Sequence, residues 1–198
     1  MTEIATERLV LRPFRADDVP AFAAYRSDPD VARYQSWDSP YSRADAERFV
    51  ASQQGLAFGR PGPWVQVAAV DRVSGALRGD CAVRVATDQP RTAEVGVTFA
   101  AASQGRGLAT EAVRAVVTRL FEAHGIDRVF ARADDRNRAV HRLFERLGFR
   151  CEARLVEADW FKGEWSTPRV YATLRREWAA SPEVSDPGPT GSHTPPVS

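Results

Sequence analysis

The chain has 198 residues, enough for one domain with a substantial core, and its 43% hydrophobic and 27% charged residues are those of a globular protein. A net charge of +1 gives no electrostatic reason to expect nucleic acid or an anionic membrane as partner, and the basic charge is nearly all arginine, Lys162 being the sole lysine. No run approaches the roughly 18 apolar residues of a membrane helix, and the N-terminus, with Glu3 and Glu7, lacks the basic and apolar regions of a signal peptide, so a cytoplasmic location is expected.

Thr6 to Arg12 reads as a strand ended by Pro13, and Asp17-Asp18 open a helix running to about Arg26, with acids well placed in its first turn. Ser27-Asp28-Pro29-Asp30 is turn chemistry, and Tyr34 to Pro40 is a loop carrying two aromatics, Tyr34 and Trp37. A second helix begins at Ser42, whose spacing to Asp45 is box-like, and turns Ala46, Phe49 and Val50 inward. The glycine and proline loop from Gly55 to Pro63 leads to strands at Trp64 to Val70 and Ala76 to Val85, a hairpin signature about Asp71 to Gly75.

Asp88-Gln89-Pro90 turns the chain into a strand, Glu94 to Phe99, which Ala100 to Ser103 connect to Gln104-Gly105-Arg106-Gly107-Leu108-Ala109-Thr110. Val113, Val116, Val117, Leu120 and Phe121 then fall at i, i+3, i+4, i+7 and i+8, the stripe of a helix packed on a sheet, and His124-Gly125 supplies its stop. Arg128 to Ala133 is a short strand, and Val140, Leu143, Phe144 and Leu147 stripe the next helix, closed by Gly148 as a left-handed cap with Phe149 as its hydrophobic follower. Two strands follow, about Glu152 to Trp160 and Pro168 to Leu174, with Lys162-Gly163-Glu164 as the turn and pairing starting just after Pro168. Trp64 and Trp178 read as packing residues. From position 181 prolines alternate with Gly, Ser and Thr, a composition that cannot bury a core, so residues 1–180 form the domain and 181–198 a disordered tail. Cys81 and Cys151 are far apart and have no metal-ligand companions, so neither a disulfide scaffold nor a metal site is supported, and both read as reduced packing residues.

The chemistry concentrates at Gln104 to Thr110. A helix N-terminus offers unpartnered amides and a positive dipole end, and glycines bare those amides to a phosphate or pyrophosphate. The same residues also suit an ordinary strand-to-helix turn. A nucleoside-triphosphate loop lacks its Gly-Lys-Ser/Thr end here, and the dinucleotide fingerprint lacks its third glycine.

Gln104-x-x-Gly107-x-Ala109 resembles the (Gln/Arg)-x-x-Gly-x-(Gly/Ala) signature of the GNAT N-acetyltransferases. Thr6 to Phe14 is similar to the opening strand of that superfamily's Rim-type branch, which acetylates ribosomal-protein N-termini, and Asn137 through Phe149 resembles its later Asn to Gly-Phe segment. The three stretches occur in the expected order and span about Thr6 to Arg175. The resemblance implies an α/β fold with a mixed, mainly antiparallel sheet of about seven strands flanked by about four helices, and a reaction in which an acetyl group passes directly from acetyl-CoA to a primary amine, of a protein N-terminus or a small molecule. No metal is implied, and a homodimer is left open.

By that resemblance Gln104, Gly105, Arg106, Gly107, Leu108, Ala109 and Thr110 hold the pyrophosphate, while Val97, Thr98 and Phe99 offer backbone groups to pantetheine and the thioester carbonyl. Asn137 helps hold the pantetheine arm, or caps its helix, or does both at different atoms. Glu94, on the strand face of Gly96 and Thr98, is the candidate base, against a cross-strand ion pair with an arginine. Glu111 suits the dipole as a structural acid. Where the superfamily often has Ser and Tyr beside the leaving thiolate, this chain has Val140 and Phe144, so Phe144 lies against the cofactor without a proton to give. His141, i+4 from Asn137, is the replacement candidate, against a solvated surface role. Tyr34, Trp37 and Trp160 are expected at the acceptor, with core packing competing for Trp160. Two alternatives stay open: another acyl donor such as succinyl-CoA, or a CoA-binding or protein-interaction module that has lost catalysis.

Overall fold

The computed structural model describes residues 3–180; the expected tail at 181–198 lies outside the described residues. In chain order its elements are β1 (Ile4–Ala5), β2 (Leu9–Pro13), α1 (Val19–Arg26), α2 (Pro29–Ala32), α3 (Arg43–Ser52), β3 (Val65–Asp71), β4 (Leu77–Val85), β5 (Thr92–Phe99), α4 (Leu108–Ala123), β6 (Arg128–Asp134), α5 (Arg138–Arg146), β7 (Arg150–Arg154), β8 (Asp159–Phe161), β9 (Glu164–Ser166), β10 (Pro168–Leu174) and α6 (Arg175–Ala179). Strands β1-β2-β3-β4-β5-β6-β10-β7 form one sheet in that order, while β8 and β9 pair separately. Within the large sheet only β5 and β6 run parallel, joined by the crossover through α4.

Both faces of the sheet are covered. Along β3, Val67 and Ala69 face one core with α4, while the intervening Ala68 and Val70 face a second core with α1 and α3. The α4 stripe of Val113, Val116, Val117, Leu120 and Phe121 is buried as its spacing requires. Ser42 caps α3 by accepting from the Asp45 amide. At the end of α5, Gly148 takes φ +78, its N–H donates to Glu145 O, and the Phe149 N–H reaches back to Phe144 O, the Schellman pattern.

Four sequence expectations need correction. The sheet has eight strands and the described residues hold six α-helices, because a short edge strand precedes β2, α2 is a single turn started by Asp28, and α6 ends the domain. The strand expected from Glu152 to Trp160 is two strands: β7 pairs with β10, whereas β8 leaves the sheet to pair with β9 across Lys162-Gly163. Pairing of β10 starts at Pro168 itself, opposite Asp134, because the bond to the β6 side there runs from Asp135 N to Thr167 O and needs no N–H from Pro168, whose carbonyl faces the β7 side and accepts from Leu155 N. Cys81 is buried in the main core, but Cys151 is exposed and does not pack, since its strand β7 is the sheet's edge.

Candidate active site

The register of β5 against β6 creates the site. Their ladder pairs Thr92 with Arg128, Ala93 with Val129 and Glu94 with Phe130, and then stops. Beyond Glu94, β5 remains paired to β4 as far as Phe99, and β6 to β10 as far as Asp134, so the two strands diverge into a wedge. Between the end of β5 and α4, the chain passes Ala101–Ser103, a single 3-10 turn, into the glycine turn.

Gly107 is the N-cap of α4, at φ +77 and without a side-chain cap, and its carbonyl accepts from Glu111 N, so the Leu108, Ala109 and Thr110 amides begin the helix without an intrahelical acceptor. Glu111 fixes this turn to the N-terminal strands: it accepts from Thr6 Oγ1 at 2.6 Å, Arg8 N at 2.8 Å and Arg8 Nε at 2.6 Å, while Arg8 Nη1 donates to Arg106 O at 2.9 Å. Partial burial opposes its charge, yet those donors hold the Glu111 carboxyl below its ordinary range. Gln104 Nε2 donates to Phe99 O at 2.9 Å and thereby ties the turn to the last residue of β5.

A cavity of about 450 Å³ runs from this turn into the wedge. It is lined by Val97, Thr98, Phe99, Gln104, Gly105, Gly107, Leu108, Ala109, Thr110, Asn137 and Val140, which brings together all but two of the residues expected at the cofactor. The exceptions are Arg106, whose carbonyl is turned to Arg8, and Phe144, which lines a second cavity of about 200 Å³ on the far side of the wedge. Asn137 Oδ1 caps α5 by accepting from Val140 N at 3.3 Å, which leaves its amide nitrogen for a ligand. Sequence reasoning missed Arg142 and Arg146 on the cavity wall, two cations without a partner among the described residues. Their spacing from Ala139, i+3 and i+7, was the available signal.

The second cavity adjoins the first. Tyr34, Gln35, Val97, Asn137 and Val140 line both, and Gly96, Arg132, Asp134, Asp159, Phe161 and Ser166 belong to the second. Asp134 accepts from Arg136 N and Nε and from Ser166 Oγ, and these bonds, Arg136 first, lower its carboxyl to about 2. An acid held below its unfolded value stabilises the fold above that value and loses the contribution as pH falls through the folded one. Asp134→Asn is therefore expected to show a constant stability deficit above about pH 4 that vanishes between 3.8 and about 2, read by denaturant titration across pH.

Four expected site residues lie elsewhere. Glu94 lines neither cavity, and its Oε2 accepts from Arg84 Nη2 at 2.7 Å, opposite it on β4, so the geometry matches the cross-strand ion pair and not a base. Because Arg84 is half exposed, such a pair contributes about 0–1 kcal/mol. Glu94→Gln is expected to keep wild-type turnover at every pH, and a loss of turnover with unchanged cofactor affinity would restore the base assignment. His141 is neither at the cavities nor solvated: it is buried, stacked on Tyr171 with ring centroids 5.5 Å apart, and its Nε2 contacts Asp135 O at 3.2 Å. The helix turn that points Val140 into the wedge carries His141 back onto the sheet. Trp37 donates its indole N–H to Arg26 O and packs against the α1 and α3 core. Trp160, 64% exposed, faces away from the second cavity and stacks edge-on against Trp165, while its neighbours Asp159 and Phe161 line that cavity, as strand alternation demands.

At the N-terminus of α4 the glycine turn bares unpartnered amides to a cavity that opens into the split between β5 and β6. The chain belongs to the acetyltransferase (GNAT) domain family, whose model matches residues 8–150, and is an N-acetyltransferase. It is 24% identical over 179 residues to the N-acetyltransferase p20 of Bacillus licheniformis, covering 90% of this chain and 99% of that protein. Its fold superposes on a GNAT-family acetyltransferase from Bacillus anthracis with a TM-score of 0.80, at 24% identity over 88% of this chain and 99% of the other. RimL, a ribosomal-protein alpha-N-acetyltransferase solved in complex with coenzyme A, gives 0.75 at 19% identity over 87% and 98%. Among the described residues no helix is long and apolar enough to cross a membrane.

Proposed function

We propose that the chain transfers the acetyl group of acetyl-CoA directly to a primary amine, with the donor in the larger cavity and the acceptor in the smaller. The observation that carries this reading is the end of β5–β6 pairing at Glu94, which joins the two cavities at the wedge. The pyrophosphate then sits on the Leu108 to Thr110 amides with Arg142 and Arg146 beside it, and the pantetheine arm runs along Val97 to Phe99 past Asn137. Holding thioester and amine together accounts for much of the acceleration in such a reaction. Asp134 is too heavily bonded to accept a proton, so the amine sheds its proton to water entering the second cavity. Asp159, paired to Arg132 at 3.0 Å and about half exposed, can exchange that arginine for an incoming ammonium.

A protein N-terminal amine is the acceptor this reading favours, supported by the Rim-type opening strand and by RimL among the folds it superposes on. The test is mass spectrometry of acetyl-CoA incubated with N-terminal peptides, amino acids, polyamines and aminoglycosides, alongside free-thiol release. Peptide N-terminal acetylation supports the reading. Transfer only from succinyl-CoA changes the donor, and cofactor binding with no thiol release across the panel makes the protein a CoA-binding module.

A further inference from the structure

The acetyl group must cross from one cavity to the other, so the thioester sulfur has to lie where they meet. Five residues line both cavities: Tyr34, Gln35, Val97, Asn137 and Val140. Tyr34 carries the one hydroxyl among them. Its O–H has no protein partner among the described residues, and the ring is half-buried, with the Arg136 guanidinium 6.0 Å from its centroid. Phe144, on α5, lines the second cavity with no proton to give, and His141 is turned away under Tyr171.

The segment bearing Tyr34 is held from both ends. Lys162, on the β8–β9 turn, donates to Ala32 O at 2.8 Å and to Trp37 O at 2.6 Å, one carbonyl on each side of Tyr34. A lysine that spans two carbonyls five residues apart fixes the loop between them, which costs the phenol little further entropy when a ligand arrives.

Resting on the reaction proposed above, we infer that Tyr34 is the catalytic acid that protonates the leaving thiolate, in place of a hydroxyl at Phe144. The amine lone pair attacks the acetyl carbonyl, and the tetrahedral intermediate collapses with cleavage of the C–S bond. Sulfur takes the Tyr34 proton to give the free thiol of coenzyme A. The proton shed by the nitrogen returns through water to the phenolate, so an amine and a thioester become an amide and a thiol with no other reagent.

The experiment measures kcat on one identified amine, and acetyl-CoA affinity by calorimetry, for wild type, Tyr34→Phe, Phe144→Tyr and the double variant. A thiol is a fair leaving group near neutrality, so Tyr34→Phe is expected to lower kcat by about 10²-fold, the small end of the range for general acids, with cofactor affinity unchanged. The double variant, with its phenol returned on α5, is expected to recover at least about tenfold of that loss. A merely structural role for Tyr34 would not be rescued from another element. Wild-type kcat in Tyr34→Phe overturns the acid assignment while leaving the enzyme reading intact. An inert wild type that Phe144→Tyr makes active overturns both, since it shows that Tyr34 supplies nothing.

Discussion

Gly107→Val is expected to stay folded and to bind acetyl-CoA at least about 100-fold more weakly, because it alters the one backbone conformation on which the anion cradle depends. Gly107 sits at φ +77 as the N-cap of α4, and L-residues there pay about 1–2 kcal/mol, with a β-branched side chain a still poorer fit. The surrounding protein is not the obstacle: a Cβ built on Gly107 meets only Arg8 Nη2, at 3.4 Å. The chain can therefore relieve the strain by rotating the turn, since Leu108 in the main core and Glu111, bonded to Thr6 and Arg8, still anchor the helix. Rotation swings the Leu108 and Ala109 amides off the ligand. Each charge-assisted hydrogen bond lost is worth about 1.5–3 kcal/mol, and losing one or two gives the expected weakening. Calorimetric titration with acetyl-CoA, on a variant shown by circular dichroism to be folded, reads the result. Near-normal affinity would move the pyrophosphate away from this turn.

That turn was legible in the sequence because its determinants are local. Two glycines, a strand before and a 3.6-period stripe after are contained in about thirty residues, and the Ser42 cap and the Gly148 Schellman turn were readable for the same reason. What the sequence did not disclose depends on residues far apart in the chain. Glu94 alternates correctly for the wedge, yet its partner is fixed by β4 register, which places Arg84 opposite. His141 follows the cavity residue Val140 on α5, and a step of one position along a helix rotates a side chain by about 100°, enough to bury it under Tyr171 on β10. The detachment of β8 and β9 has no periodic signature, because the two strands are only three residues each. The role of Lys162, read at first only as part of a turn, appears once that hairpin is folded over the Ala32 to Trp37 segment.

Arg26 is the furthest such case, and Arg26→Ala is expected to lower stability by at least about 3 kcal/mol. At the end of α1 it reads as an ordinary basic residue favouring the helix dipole, yet it is 4% exposed. Its guanidinium carbon lies 3.8 Å from the Trp37 ring centroid, 4.2 Å from Phe22, 4.6 Å from Phe49 and 5.2 Å from Tyr41. Four rings from α1, α3 and the loop between them thus enclose one cation, a desolvated arrangement in which a single cation–π contact reaches about 2 kcal/mol. The same charge compensates Asp80, which is buried and hydrogen-bonded by the Tyr25 hydroxyl. Burial raises the Asp80 carboxyl, and Arg26 and then Tyr25 pull it back. Arg26→Met keeps the stem and removes the charge, so the difference between the two variants isolates packing from electrostatics. An acid whose folded value is raised stabilises fully below its unfolded value and loses that contribution as pH rises through the folded one. Without Arg26 the Asp80 carboxyl rises further, so the deficit of both variants is expected to be largest at pH 7 and to shrink toward pH 4, leaving only the packing loss. Urea titrations at the two pH values measure it, and a methionine variant as stable as wild type at pH 7 would show that Asp80 needs no counter-charge. Trp37 rests on this cation and its carbonyl accepts from Lys162, so the Tyr34 segment loosens with the cage, and kcat should fall while cofactor affinity is unchanged.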